Sequence, residues 1–189
     1  MKHLTLPTDK ELNETSIVLD LGGYIGTYCA LINQITPCNI YVFEPIKEYF
    51  NHCSERFKNN KNIRVFNFGV GASDDTIQIS KAGDSSSAYR TNGDTEECIV
   101  RNYREFLNSQ KIGFVDVMKI NIEGGEYDVL PYLISSGEIT SVGKIQVQFH
   151  NLTKDSKSRK DEICNDLSCT HELKWSSGEF VWEEWALKC

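Results

Sequence analysis

Four short stretches carry residue types whose spacing could do chemistry. "LDLGGYIG" sets Asp20 just before Gly22, Gly23, Tyr24 and Gly26, and "VFEP" ends an apolar run on Glu44 and Pro45. "MKINIEGGE" alternates Lys119, Asn121 and Glu123 ahead of Gly124, Gly125 and Glu126, and "VQFH" ends on His150. A glycine turn between a strand and a helix presents backbone amides to an anionic group. Residues two apart on a strand share a face, so Lys119, Asn121 and Glu123 leave the core together. A histidine with an ordinary pKa near 6.5 can serve as a base at neutral pH.

The aspartate decides which ligand the turn suits. A dinucleotide's pyrophosphate would be repelled by a carboxylate at the mouth of the turn. S-adenosyl-L-methionine has no phosphate and carries an ammonium and a sulfonium, so Asp20 favours it, while free amides at the helix start receive its carboxylate. Glycines at 22, 23 and 26 let the backbone approach where a side chain would collide. Glu44 follows Asp20 by 24 residues, near the roughly 20-residue offset at which an acid binds ribose hydroxyls. Nicotinamide dinucleotides also need such an acid, so an NAD-dependent oxidoreductase stays open as an alternative, disfavoured by Asp20. A third reading is a non-catalytic binding module, for which Asn121 is the best argument.

These residues need elements to hold them. Apolar runs at 17–21, 40–44, 63–70, 114–122 and 144–150 read as strands, and 27–35, 46–57, 104–110, 126–137 and 156–168 as helices. Short strands alternating with helices imply parallel strands joined by right-handed crossovers, with ligands beyond their carboxyl ends. Segments 76–80 and 96–100 read as edge strands, and the Gly- and Ser-rich 81–94 between them as a mobile loop or lid. "HELKWSS" and "EFVWEEWAL" alternate around a Ser-Gly turn, a hairpin antiparallel to what precedes it. Pro131 should start or kink its helix.

At 189 residues the chain fits one domain over 1–189. A net charge of −7 argues against nucleic acid and anionic membrane as partners. The run Lys154, Lys157, Arg159, Lys160 reads as a solvated helix face. No apolar stretch has the length of a membrane span, and "MKHLTLPTDKELNETS" lacks a signal peptide's apolar core. The seven cysteines form no CxxC pair, so no metal site is expected, and Cys29 and Cys53 fit helices as small hydrophobes. A reduced, cytoplasmic protein is expected.

The stretches "VLDLGGYIGTY", "VFEP", "MKINIEGGEYDVL" and "VQFHN" occur in the order and near the spacing of the FkbM family of S-adenosylmethionine-dependent methyltransferases, which the chain resembles over roughly residues 16–151. The resemblance implies a Rossmann-like class I fold: a seven-stranded, mostly parallel sheet with a C-terminal antiparallel hairpin and helices on both faces. It places cofactor contacts on Asp20, Gly22 and Gly26 and the ribose acid on Glu44, with Gly23, Tyr24 and Pro45 beside them. It sets Lys119, Asn121, Glu123, Gly124 and Glu126 at the family's post-strand segment. It implies O-methylation of a hydroxyl on a sugar or small natural product. Tyr24 stands where the family commonly has asparagine, and Asn121 where it has aspartate. The expected base is His150 or Glu123, with Lys119 stabilising a developing oxyanion. The partner is then a small-molecule or saccharide acceptor.

Overall fold

The computed structural model describes residues 6–7, 11–80 and 95–189. Strand β1 (Ile17–Leu21) is followed by helix α1 (Thr27–Ile35), β2 (Asn39–Phe43), α2 (Lys47–Phe57) and β3 (Ile63–Phe66). Next come β4 (Gly69–Gly71), β5 (Asp75–Ser80), β6 (Thr95–Asn102) and α3 (Tyr103–Gln110). The rest is β7 (Val115–Ile120), α4 (Glu126–Ser135), β8 (Val142–Gln148), α5 (Ser156–Thr170), β9 (His171–Ser176) and β10 (Trp182–Leu187). The main sheet runs β3-β2-β1-β7-β8-β10-β9. β1, β2, β3, β7 and β8 are parallel. β10 lies antiparallel between β8 and β9.

The terminal hairpin is therefore antiparallel only in its second arm, because β9 runs with the parallel strands. Its Trp182 and Trp185 are core residues.

Buried apolar runs are the reason the central strands form. In β1, Val18 faces α1 and α2, packing with Val42, Ile32 and Phe57. Leu19 and Leu21 face the other layer, with Phe106, Met118, Leu130 and Leu167. Two core layers thus sandwich the sheet. Pro131 lies inside α4. The helical bond it cannot donate to Tyr127 O is replaced by one from Arg159 Nη2 at 2.9 Å.

The expected strand 63–70 is two strands. Asn67 Nδ2 donates to Glu44 O at 3.1 Å and Pro45 O at 2.8 Å, fastening the chain between β3 and β4 to the β2–α2 turn. β4 then leaves the main sheet and pairs with β6. The expected edge strands 76–80 and 96–100 join it in a separate sheet, order β4-β6-β5. The segment 81–94 expected to form a lid, with its "SSSAY", lies outside the described residues. The basic run is only partly solvated: Lys160 pairs with buried Glu183 at 2.6 Å, and Arg159 with Asp128 at 3.2 Å. Among the described residues, no helix is long and apolar enough to cross a membrane.

Candidate active site

The carboxyl ends of β1, β2, β7 and β8 open into a cavity of about 750 Å³. Its wall includes Gly22, Gly23, Tyr24, Glu44, Pro45, Lys119, Asn121 and Glu123, and the small sheet adds Val70, Ile77 and Ile79. The size is that of a small-molecule site. Of the singled-out residues, Asp20, Gly26, Gly124, Glu126 and His150 stand behind this wall.

Asp20 is not a free charge at the mouth of the turn. It is fully buried, and Lys119 Nζ lies 2.8 Å from its Oδ1. Cys29 Sγ donates to its Oδ2 at 3.4 Å. The Lys119 ammonium also donates to Gly22 O at 2.6 Å and Leu21 O at 3.4 Å. Its hydrogens are committed to the turn, so the expected oxyanion role is corrected to a structural one: it neutralises Asp20 and holds the glycine turn. The pair belongs to a polar row across the sheet, on the α1 side. Asp20 stands opposite Lys119, Lys119 opposite Gln146, and Gln146 opposite Glu184. Tyr28 of α1 donates to Gln146 Oε1 at 2.9 Å, and Gln146 Nε2 to Glu184 Oε2 at 2.7 Å. Burial, then the Asp20 charge, pushes the Tyr28 phenol well up, so it stays a donor.

The glycines serve the protein's own packing first. A Cβ on Gly22, which has φ +82°, would sit 2.0 Å from Asn121 O. One on Gly23 would meet Val42 Cγ1 at 2.2 Å, and one on Gly26 would meet Phe57 Cε2 at 2.4 Å. The turn is pressed onto β7, β2 and α2 at three successive points. Gly26 leads into α1 without a side-chain cap, which leaves first-turn amides for a ligand.

Glu44 is 5% exposed and accepts from Tyr24 N at 2.8 Å and Ile46 N at 2.9 Å. Each oxygen takes one amide and keeps a second acceptor direction. Burial raises its pKa to about 7, against the lowering effect of the two amides. Tyr24 has φ +49° and packs edge-on to Tyr49, ring centroids 4.6 Å apart.

Asn121 donates its backbone N–H to Leu21 O at 3.0 Å, and its side-chain Oδ1 is sealed from solvent with no hydrogen bond among the described residues. Glu123, with φ +48°, follows at the cavity wall. His150 stands behind it between two carboxylates: Nε2 is 3.1 Å from Glu123 Oε1 and Nδ1 is 3.0 Å from Glu126 Oε1. Glu126 is fully buried and also accepts from Gly124 N at 2.8 Å and His150 N at 2.9 Å. It therefore staples the β7–α4 turn to the end of β8. Desolvation lowers the His150 pKa, but hydrogen bonds and charges from Glu123 and Glu126 outweigh it and raise it to about 9. The expected free imidazole base is thus an imidazolium at neutral pH.

The Methyltransferase FkbM domain pattern matches residues 20–173. The chain belongs to the FkbM methyltransferase family. Solved structures agree on the fold. Methyltransferase FkbM from Methylobacillus flagellatus KT aligns at a TM-score of 0.60 and 13% identity, over 93% of this chain and 44% of that one. This chain therefore spans less than half of that protein's length. A precorrin-6y C5,15-methyltransferase from Geobacter metallireducens GS-15 aligns at 0.55 and 13%, covering 96% and 85%. SMU.1697c from Streptococcus mutans, in complex with SAH, aligns at 0.54 and 9%, covering 95% and 93%. No curated protein sequence matches.

The cavity of this FkbM domain is also lined by residues that reasoning from sequence passed over. Gln148 lines the cavity from the end of β8; its alternation with buried Gln146 along the strand was the available signal. The small sheet's aliphatic wall had none, since it needs β4 to leave the main sheet.

Proposed function

We propose that this FkbM methyltransferase moves the methyl group of S-adenosylmethionine to a hydroxyl oxygen of a saccharide or other small hydroxylated molecule. The bound cofactor supplies a methyl activated as a sulfonium: a carbon–oxygen bond forms as the carbon–sulfur bond breaks, with that bond's electrons staying on sulfur. The residues present fit it. Uncapped amides at the start of α1 suit its carboxylate, and Glu44 has acceptor capacity left for ribose hydroxyls.

The chain's task is then alignment and removal of one proton. Glu123 takes that proton, because it lines the cavity while His150 does not. His150 and Glu126 are positioning residues that hold the Glu123 turn. Asn121 cannot take a proton near neutral pH. The net charge of −7 favours a small acceptor over nucleic acid or an anionic membrane.

The observation that carries this reading is the convergence of Glu44, the α1 start and Glu123 on one cavity. Calorimetry should show S-adenosylhomocysteine binding and NAD not binding. Glu123→Gln should cut transfer of a labelled methyl group about 100-fold or more, the scale of general-base catalysis, with homocysteine-cofactor affinity unchanged within threefold. A full rate in Glu123→Gln would refute the proton-taking role.

A further inference from the structure

The cavity has a second pair of polar groups beyond those the cofactor and the proton need. β7 and β8 run parallel with Lys119 opposite Gln146 and Ile120 opposite Val147. The next residues, Asn121 and Gln148, therefore leave the sheet side by side. Period-two alternation puts both on the face of Lys119 and Gln146. Both line the cavity, as does Glu123.

Their hydrogen-bonding capacity is unspent. Asn121 Oδ1 is out of reach of solvent yet accepts nothing among the described residues. A buried carbonyl left so is unfavourable, and the loss is recovered when a donor arrives. The Gln148 amide enters no side-chain hydrogen bond among the described residues. One level deeper, the equivalent Gln146 is fully engaged by Tyr28 and Glu184. At the cavity the same face of the sheet thus presents two side-chain amides, Asn121 with its Oδ1 unpartnered and Gln148, among the described residues.

We infer that Asn121 and Gln148 form an acceptor-reading pair that selects a vicinal diol, as on a saccharide ring. The inference rests on the methyltransferase reading above and deepens it. Neighbouring strands stand about 4.8 Å apart, and hydroxyl hydrogen bonds are about 2.7–2.8 Å long. Two amides at that separation can each hold one of two hydroxyls on adjacent carbons. Asn121 Oδ1 accepts from one hydroxyl, and Gln148, a donor and acceptor, binds its neighbour. A site built to bond a hydroxyl discriminates strongly against an analogue lacking it, because its own polar group is then stranded.

The test uses labelled S-adenosylmethionine with methyl glycosides of hexoses and 6-deoxyhexoses, each also as the analogue lacking one hydroxyl of a vicinal pair. Label should appear on glycosides with an intact diol, and kcat/KM should fall at least tenfold when the partner hydroxyl is absent. Gln148→Leu and Asn121→Leu should each raise the glycoside KM at least tenfold, with kcat within threefold and S-adenosylhomocysteine affinity within twofold. Asn121→Asp, which still accepts a hydrogen bond, should keep KM within threefold, which a merely structural role would not separate from Asn121→Leu. If Asn121→Leu fails to fold, Gln148→Leu decides alone. An unchanged KM in Gln148→Leu, or no labelled glycoside from protein that binds S-adenosylhomocysteine, overturns the inference. Absence of S-adenosylhomocysteine binding would instead overturn the methyltransferase reading beneath it.

Discussion

His150 should make the fold lose stability as pH rises from neutral to mildly alkaline. Its pKa is raised from 6.5 to about 9 by Glu123 and Glu126, against desolvation, and its side chain is only 11% exposed. A group whose pKa is higher folded than unfolded binds its proton more tightly in the fold. Its contribution is complete below about pH 6.5 and lost as pH climbs through about 9. At 1.36 kcal/mol per pH unit, that interval corresponds to about 3 kcal/mol. Buried thiols and phenols, raised by burial, also weaken the fold at higher pH, so the quantity to read is a difference. Urea unfolding of wild type and His150→Gln should be measured at pH 6.5 and 9. The variant should be less stable at pH 6.5, and the gap should shrink by about 3 kcal/mol at pH 9. Parallel pH profiles would refute the picture of an imidazolium clamped between two carboxylates.

Glu44, raised to about 7 by burial, should make S-adenosylhomocysteine affinity increase between pH 6 and 8 as the carboxylate ionises; Glu44→Gln should abolish that slope and weaken binding by about 1–3 kcal/mol in calorimetry. Asp20→Asn leaves the Lys119 ammonium buried without its counter-charge and should cost about 3–5 kcal/mol in urea unfolding. The double variant with Lys119→Met should recover much of that loss, whereas a stable single variant would count against the pair. Gly22→Ala, whose Cβ would lie 2.0 Å from Asn121 O at φ +82°, should yield little folded protein, seen as a lost or sharply lowered melting transition.

The central strands were legible because both their faces are buried, which writes a continuous apolar run. The break after β3 was not, because it depends on Asn67 reaching the backbone of Glu44 and Pro45, a contact with no local trace. Asp20 was visible as chemistry and misread in position. Its partner Lys119 is far away in sequence and adjacent only once β1 and β7 pair. The clue was that β1 carries a single charge, Asp20, and β7 carries a lysine, Lys119, inside its apolar carboxyl-terminal half. The meeting of His150 with Glu123 at one edge was legible from strand order. That both ring nitrogens face carboxylates was not, since Glu126 meets His150 only once the β7–α4 turn closes against the end of β8.

The buried row Asp20–Lys119–Gln146–Glu184 has a consequence for assembly. Parallel strands lack a tight hairpin to fix their alignment, and the apolar residues of β1 and β7 would pack almost as well after a shift of two places. Such a slip would part the buried carboxylate from the ammonium and set one of them against a valine, Asp20 opposite Val117 or Lys119 opposite Val18. The loss of about 3–5 kcal/mol is a large share of the roughly 5–15 kcal/mol that separates a folded domain from its unfolded chain. The row thus acts as a key cut into an otherwise greasy surface: it admits one alignment of four strands, and with it the single arrangement in which Asn121 and Gln148 emerge together.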